Sequence, residues 1–201
     1  AQENAQLRAN HPRLALDNQL YVANGLRGGT VRDSRKPDSE AISISGMDFR
    51  FDPRTFQYQP VSGVGQFGLT FDDEGNRFVC SNRNPLKQIV LENKYLAGAS
   101  GVAIASVAED VARSGEASRI YPISRAWTTS TLHAGQFTAA CGVLVYRGTA
   151  LPALRGNGFT CDPTGNLVHA ERLVKDGVVF RGQPVYEEDE FLRSTDEWFR
   201  P

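Results

Sequence analysis

The chain has 201 residues, 40% of them hydrophobic and 22% charged, with a formal net charge of −1. That length suits one domain with a real core, and the balance is that of an ordinary globular chain. Near-zero charge leaves no electrostatic footprint for nucleic acid or an anionic membrane surface, and no apolar run approaches the roughly 20 residues that span a bilayer.

The first ten residues are polar and lack the basic-then-apolar order of a signal peptide. From there one unit recurs: an apolar strand, a tight polar turn, and a second apolar strand ending in polar residues. Its first copy runs from Leu14 to Asn24, its second from Phe67 to Asn82, and a looser third from Cys141 to Asp162. The Asp-Asn and Asp-Glu-Gly-Asn turns supply residues that tolerate the positive φ of tight hairpins. Two further strands are expected after each copy: 42–51 and 56–61, then 86–91 and 119–123, then 167–173 and 178–181.

Four short strands per repeat describe the blades of a β-propeller carrying insertions. The expected fold is therefore all-β: a partial β-propeller of about three four-stranded antiparallel blades, near 12–62, 66–124 and 138–184, in one domain over 1–201. The main insertion falls at 92–117, where Ser106-Val-Ala-Glu109 has capping-box form and Gly115 is a natural stop, which predicts one short helix. Three blades cannot close a ring and leave two open edges. The segment 185–201 then reads as the lead-in to a further, missing blade, and the sequence as a fragment of something longer.

Cys80, Cys141 and Cys161 match no zinc or haem-attachment spacing. Cys141 opens the first strand of the third repeat and Cys161 closes the second. Antiparallel neighbours of this kind have Cα atoms about 4.5–5.5 Å apart, within reach of a disulfide. The odd count fits that bridge plus a buried Cys80 thiol, or three reduced thiols.

Four segments resemble the bacterial putative membrane-bound dehydrogenase family of planctomycete type. They are Gly65-Gln-Phe-Gly-Leu-Thr-Phe-Asp-Asp-Glu-Gly-Asn-Arg-Phe-Val-Cys-Ser-Asn-Arg-Asn-Pro85, Gly135-Gln-Phe-Thr-Ala-Ala-Cys-Gly142, Asn166-Leu-Val-His169, and Glu190-Phe-Leu-Arg-Ser-Thr-Asp-Glu-Trp-Phe-Arg-Pro201. That family is similar to the soluble quinoprotein glucose/sorbosone dehydrogenases. The resemblance implies a propeller oxidising a small sugar or polyol, an exported and periplasmic location, pyrroloquinoline quinone and calcium as cofactors, and a c-type haem domain outside this segment as electron acceptor. Quinone-binding relatives carry His-Arg-Asn-Pro just before a Gly-Leu-x-Phe strand. Here Gly63-Val-Gly-Gln-Phe67 precedes Gly68-Leu-Thr-Phe71, and the Arg83-Asn84-Pro85 element follows the next strand instead.

In a propeller the loops after second strands and the entries to first strands line one funnel. That places 81–84, 162–169 and 133–136 together, with polar groups suited to a sugar, a quinone or a metal of unspecified identity. His169 is the first candidate catalytic base, because an alcohol gives up its hydroxyl proton to such a group and histidine titrates near neutrality. His133 and Arg83 join it as catalytic candidates, with Asn82, Asn84, Asp162 and Asn166 as cofactor contacts. Each has a plainer alternative: His169 as a strand residue bonded to a neighbour, His133 at the surface, Arg83 paired with Asp162 or Glu171. Asp72-Asp-Glu74 reads as a hairpin turn rather than a calcium loop, Glu187-Glu-Asp-Glu190 as a solvated charge run, and Trp198 and Phe199 as core. Two functions remain open: an oxidoreductase passing electrons to a quinone or haem partner, and a non-catalytic propeller holding carbohydrate or protein.

Overall fold

A computed structural model describes residues 4–98, 101–125 and 134–201. The fold is all-β, with antiparallel pairing throughout and very little helix. The first sheet contains β1 (Asn10–Leu14), β2 (Leu20–Ala23), β5 (Asp48–Phe51) and β6 (Tyr58–Val61), in that order. A two-stranded ribbon, β3 (Thr30–Val31) with β4 (Ile42–Ser43), stands between β2 and β5. The second sheet is β7 (Leu69–Phe71), β8 (Arg77–Ser81), β9 (Asn84–Ile89) and β10 (Ala108–Asp110). The third is β11 (Cys141–Val145), β12 (Gly158–Asp162), β13 (Leu167–Asp176) and β14 (Val179–Pro184), with β15 (Leu192–Arg193) also on β13.

The first two hairpins fall where turn chemistry puts them, and the third joins β11 to β12 through a longer connection with a 3₁₀ turn at Pro152–Leu154. At the second, Asp72 Oδ1 accepts the Glu74 and Asn76 N–H groups at 2.9 and 2.8 Å, the Asx geometry of a tight turn. The stretch expected as one strand over 42–51 is broken by Gly46 at φ +71, which sends Ile42–Ser43 into the ribbon and leaves Asp48–Phe51 to the sheet. The segment 192–193 turns back onto the third sheet rather than leading away from it.

Two expectations in the second repeat need correction. The fourth strand is Ala108–Asp110, paired with Ile89, Gln88 and Lys87, and not 119–123. The Ser106 hydroxyl caps no helix: it accepts from Ala108 N–H at 3.1 Å and donates to the Ala108 carbonyl at 2.7 Å. The open edge of β9 offers a ladder of backbone partners, and pairing there wins over a helix that would have little to pack on. The α-helix of the insertion is instead one turn, α1 (Asn93–Leu96), with a 3₁₀ turn at Gly115–Ala117.

The sheets pack face to face in chain order. Tyr21, Ala23 and Val61 of the first meet Leu69, Phe71, Val79 and Ile89 of the second. Phe78, Cys80 and Leu86 of the second meet Val143 and Val145 of the third. Two glycines permit the close approach: a Cβ at Gly65 would lie 2.9 Å from the Ala23 Cβ, and one at Gly68 would lie 2.9 Å from the Val143 nitrogen. Trp198, expected in the core, is 91% exposed.

Cys141 and Cys161 face each other in register across β11 and β12, as their placement predicts. All three thiols are free in this structure. Burial, reinforced by the neighbouring Cys161 and Asp162, pushes Cys141 up to about 11, and burial pushes Cys80 up to about 12. Thiolate is the reactive form, so iodoacetamide at pH 7.5 should label Cys80 only after unfolding, and Cys141 and Cys161 slowly. Labelling of all three in the folded chain at the rate of a free cysteine would contradict this packing.

Candidate functional site

Along β13 side chains alternate between faces, so His169 and Glu171, two residues apart, point the same way. That face turns toward the second sheet: Thr160, the cross-strand partner of His169, donates to the Pro85 carbonyl at 2.9 Å, and Leu173 packs on the second core cluster. The result is a pair of ionisable side chains only 4% and 6% exposed. Ionisable groups so deep need partners, and the last part of the chain supplies one. Glu190, 6% exposed, reaches in from the segment after β14.

His169 Nδ1 lies 2.6 Å from Glu190 Oε2, and its Nε2 lies 3.1 Å from Glu171 Oε1. Carboxylate oxygens accept, so the two contacts are met together when both ring nitrogens donate, which is the imidazolium form. Burial opposes that charge. The hydrogen bonds and charges of Glu171 and Glu190 outweigh it and raise His169 to about 9. The Phe137 ring stands edge-on to the imidazolium at 5.4 Å.

Glu190 has a second partner: its Oε1 accepts the Tyr121 N–H at 3.0 Å. Arg193 repeats the tie, donating to the Tyr121 carbonyl at 3.1 Å and pairing with Asp189 at 2.7 Å. The segment after β10 and the segment after β14 are thereby joined over the face of β13, enclosing a cleft of about 530 Å³. His169, Glu171 and Phe137 form its floor, Arg113, Arg119 and Tyr121 one wall, and Gln183, Tyr186, Glu187 and Glu188 the other. Among the described residues none of these four charged wall residues is ion-paired. Arg119 Nη1 donates to the Glu116 and Ser118 carbonyls at 2.8 and 2.6 Å. Below, Glu171 Oε2 is buried without a hydrogen-bond partner.

The other expected site residues that the structure describes do not line this cleft, and two of them, Asp162 and Asn166, serve the backbone. Asp162 is fully buried and accepts four N–H groups: Thr164 and Gly165 at 2.9 Å each, Thr138 at 3.1 Å and Ala139 at 3.2 Å. Asn166 takes φ 53, a left-handed position that asparagine tolerates. Its amide, oriented to satisfy both ends, donates to the Pro163 and Phe199 carbonyls at 3.0 and 2.7 Å and accepts from Ser124 Oγ at 3.1 Å. Asn84 donates to Asp110 Oδ2 at 3.3 Å. Asn82 is exposed, its N–H donating to Gln66 Oε1 at 3.1 Å. Arg83 donates to Gln136 Oε1 at 3.0 Å and pairs with neither Asp162 nor Glu171. His133 lies outside the described residues.

Three corrections follow. His169 does not suit a general base, because a ring carrying both protons has no lone pair to accept another. Glu190, read within a solvated charge run, is the most deeply engaged carboxylate of the cleft. Asn82, Asn84, Asp162 and Asn166 do not fit pyrroloquinoline quinone with calcium: Asp162, Asn84 and Asn166 have their polar atoms committed to protein groups, and a quinone tricarboxylate finds no cation among the four. Among the described residues no cluster of three or more His, Cys, Asp or Glu side chains is arranged to hold a metal. The spacing of His169 and Glu171 on one strand was a usable signal. Nothing local marks Tyr121 or Glu190, whose role depends on a contact 69 residues apart.

Over residues 1–201 the chain matches the model of a family described as a domain of unknown function (DUF7133), and it belongs to that family. Neither a curated protein nor a solved structure is detectably similar to it. Among the described residues no helix is long and apolar enough to cross a membrane.

Proposed function

We propose that this chain is an arc of a β-propeller that holds a small sugar or polyol in the cleft over His169. Three antiparallel sheets, two of four strands and one of four with a short fifth strand added, stack face to face in chain order and support the propeller reading. The lining of the cleft carries the ligand reading. A sugar hydroxyl both donates and accepts, so it is best met by donors on one side and acceptors on the other. Arg113 and Arg119 line the cleft together with Glu187 and Glu188, and among the described residues none of the four is ion-paired. Tyr121 and Tyr186 add amphipathic rings of the kind that cover a sugar's C–H face while bonding its oxygens.

Calorimetric titration with D-glucose, D-galactose, D-mannose and sorbitol tests the reading. At least one should bind, and Arg113→Ala should weaken it about tenfold, near 1.4 kcal/mol, with the melting temperature unchanged. No heat from any of the four, or equal binding by Arg113→Ala, would remove this cleft as the sugar site.

A second reading adds oxidation of the bound sugar, with electrons passed to a quinone or haem partner in an extracytoplasmic compartment. The four segments resembling the putative membrane-bound dehydrogenases favour it. Dye-linked oxidation of the same four probes separates it from binding alone: dye reduction supports oxidation, and binding without dye reduction leaves a binding site.

A further inference from the structure

We propose that Glu190 is the positioning residue of this cleft, its single carboxylate holding both walls to the floor so that sugar binding depends on the protonated state of His169. This rests on the sugar reading of the cleft given above. The geometry is a three-way junction. Oε1 takes the Tyr121 backbone N–H from one wall at 3.0 Å, and Oε2 takes His169 Nδ1–H from the floor at 2.6 Å. The residue itself continues the chain of the other wall, only two positions after Glu188. Its side chain is fully buried, so no water is on hand to replace a lost partner.

When the imidazolium gives its proton to solvent, one ring nitrogen becomes an acceptor. It then faces a carboxylate oxygen across a hydrogen-bond distance with no proton between them. Either His169–Glu190 or His169–Glu171 must part. If the Glu190 contact parts, the wall carrying Tyr186, Glu187 and Glu188 loses its anchor to the floor. If the Glu171 contact parts, a carboxylate that already has one unpartnered oxygen loses its other bond beneath the ligand. Each outcome deforms the cleft.

The charges around the ring fix the direction of the response. From β13 the ring faces Glu171, and from the segment after β14 it faces Glu190, with Glu187 and Glu188 at the rim. From the segment after β10 come Arg113, Arg119 and the Tyr121 ring, and Phe137 adds no charge. The two carboxylates in direct contact hold the proton, and the arginines sit at the rim. Binding should therefore be constant through neutrality and decline in alkali, where the proton leaves.

The experiment follows the dissociation constant of whichever of the four sugars binds, on the whole chain from pH 6 to 9.5. His169 imidazole C–H signals are recorded by NMR in the same samples. The affinity should stay flat to about pH 8 and then fall in step with the His169 signal, by about fourfold at pH 9.5 for a midpoint near 9. Glu190→Gln, which keeps an acceptor for Tyr121 but removes the charge, should shift both midpoints down together. A purely architectural Glu190 would change stability and leave the midpoint of binding in place. Binding that ignores the His169 titration overturns the proposal and leaves the sugar reading intact. No binding by any probe at any pH overturns both.

Discussion

Replacing His169 by alanine should destabilise the fold more than any other single change at the cleft. The substitution leaves Glu171 and Glu190 buried with no cation between them and opens space beside Phe137. Removing one member of a buried ionic cluster typically costs about 3–5 kcal/mol, because the remaining charge is left uncompensated. Roughly 10 °C of melting temperature corresponds to that loss in a chain of this size. The penalty should shrink at pH 5, where a proton can neutralise an unpaired buried carboxylate. His169→Ala combined with Glu190→Gln should recover part of the loss at pH 7, since it removes one of the two opposed charges. Equal stability of wild type and His169→Ala would show that the imidazolium is not holding the carboxylates.

The wild-type chain has a matching pH signature. The folded-state value of His169, about 9, lies above its ordinary 6.5. A group raised in this way contributes its full stabilisation below pH 6.5. The contribution declines as pH rises from there and is gone above about 9. A shift of that size corresponds to about 3 kcal/mol. Urea midpoints should therefore fall between pH 7 and 9.5 in wild type, and fall less in His169→Ala.

Asp162→Ala should produce the second large loss. One carboxylate terminates four backbone N–H groups from two chain segments, 138–139 and 164–165. A buried donor left without an acceptor costs about 1–3 kcal/mol, and water entering the gap will satisfy some of the four, so the net cost should be about 3–5 kcal/mol. Asp162→Asn keeps one acceptor oxygen and should fall between alanine and wild type. The urea midpoint should move with an unchanged slope, the mark of altered stability rather than altered compactness. A loss below about 1 kcal/mol for Asp162→Ala would mean that the two segments hold without it.

How far the sequence could be read depended on the range of the interaction. Hairpins declare themselves through a few adjacent residues, and Asp72-Asp-Glu-Gly-Asn76 folds as its turn chemistry says. Sheet membership at open edges does not: Ala108–Asp110 joins β9 because unpaired backbone was waiting there, while Ser106 and Glu109 locally described a helix cap. The candidate site shows the same division. Polar residues around the ends of β8 and β12 looked like ligand contacts, yet Asp162 and Asn166 are consumed by the turns that they build. His169 was visible as chemistry, but its state was not. An isolated histidine suggests a base, and only the approach of Glu190 from 21 residues away makes it a cation.

The protonation of His169 carries this account, and ¹⁵N NMR of the imidazole ring measures it most directly. At pH 7.5 both ring nitrogens should show the shifts of protonated imidazolium, with a titration midpoint near 9. A ring with one unprotonated nitrogen at pH 7.5, titrating below 7, would contradict the account and return His169 to the role of a base.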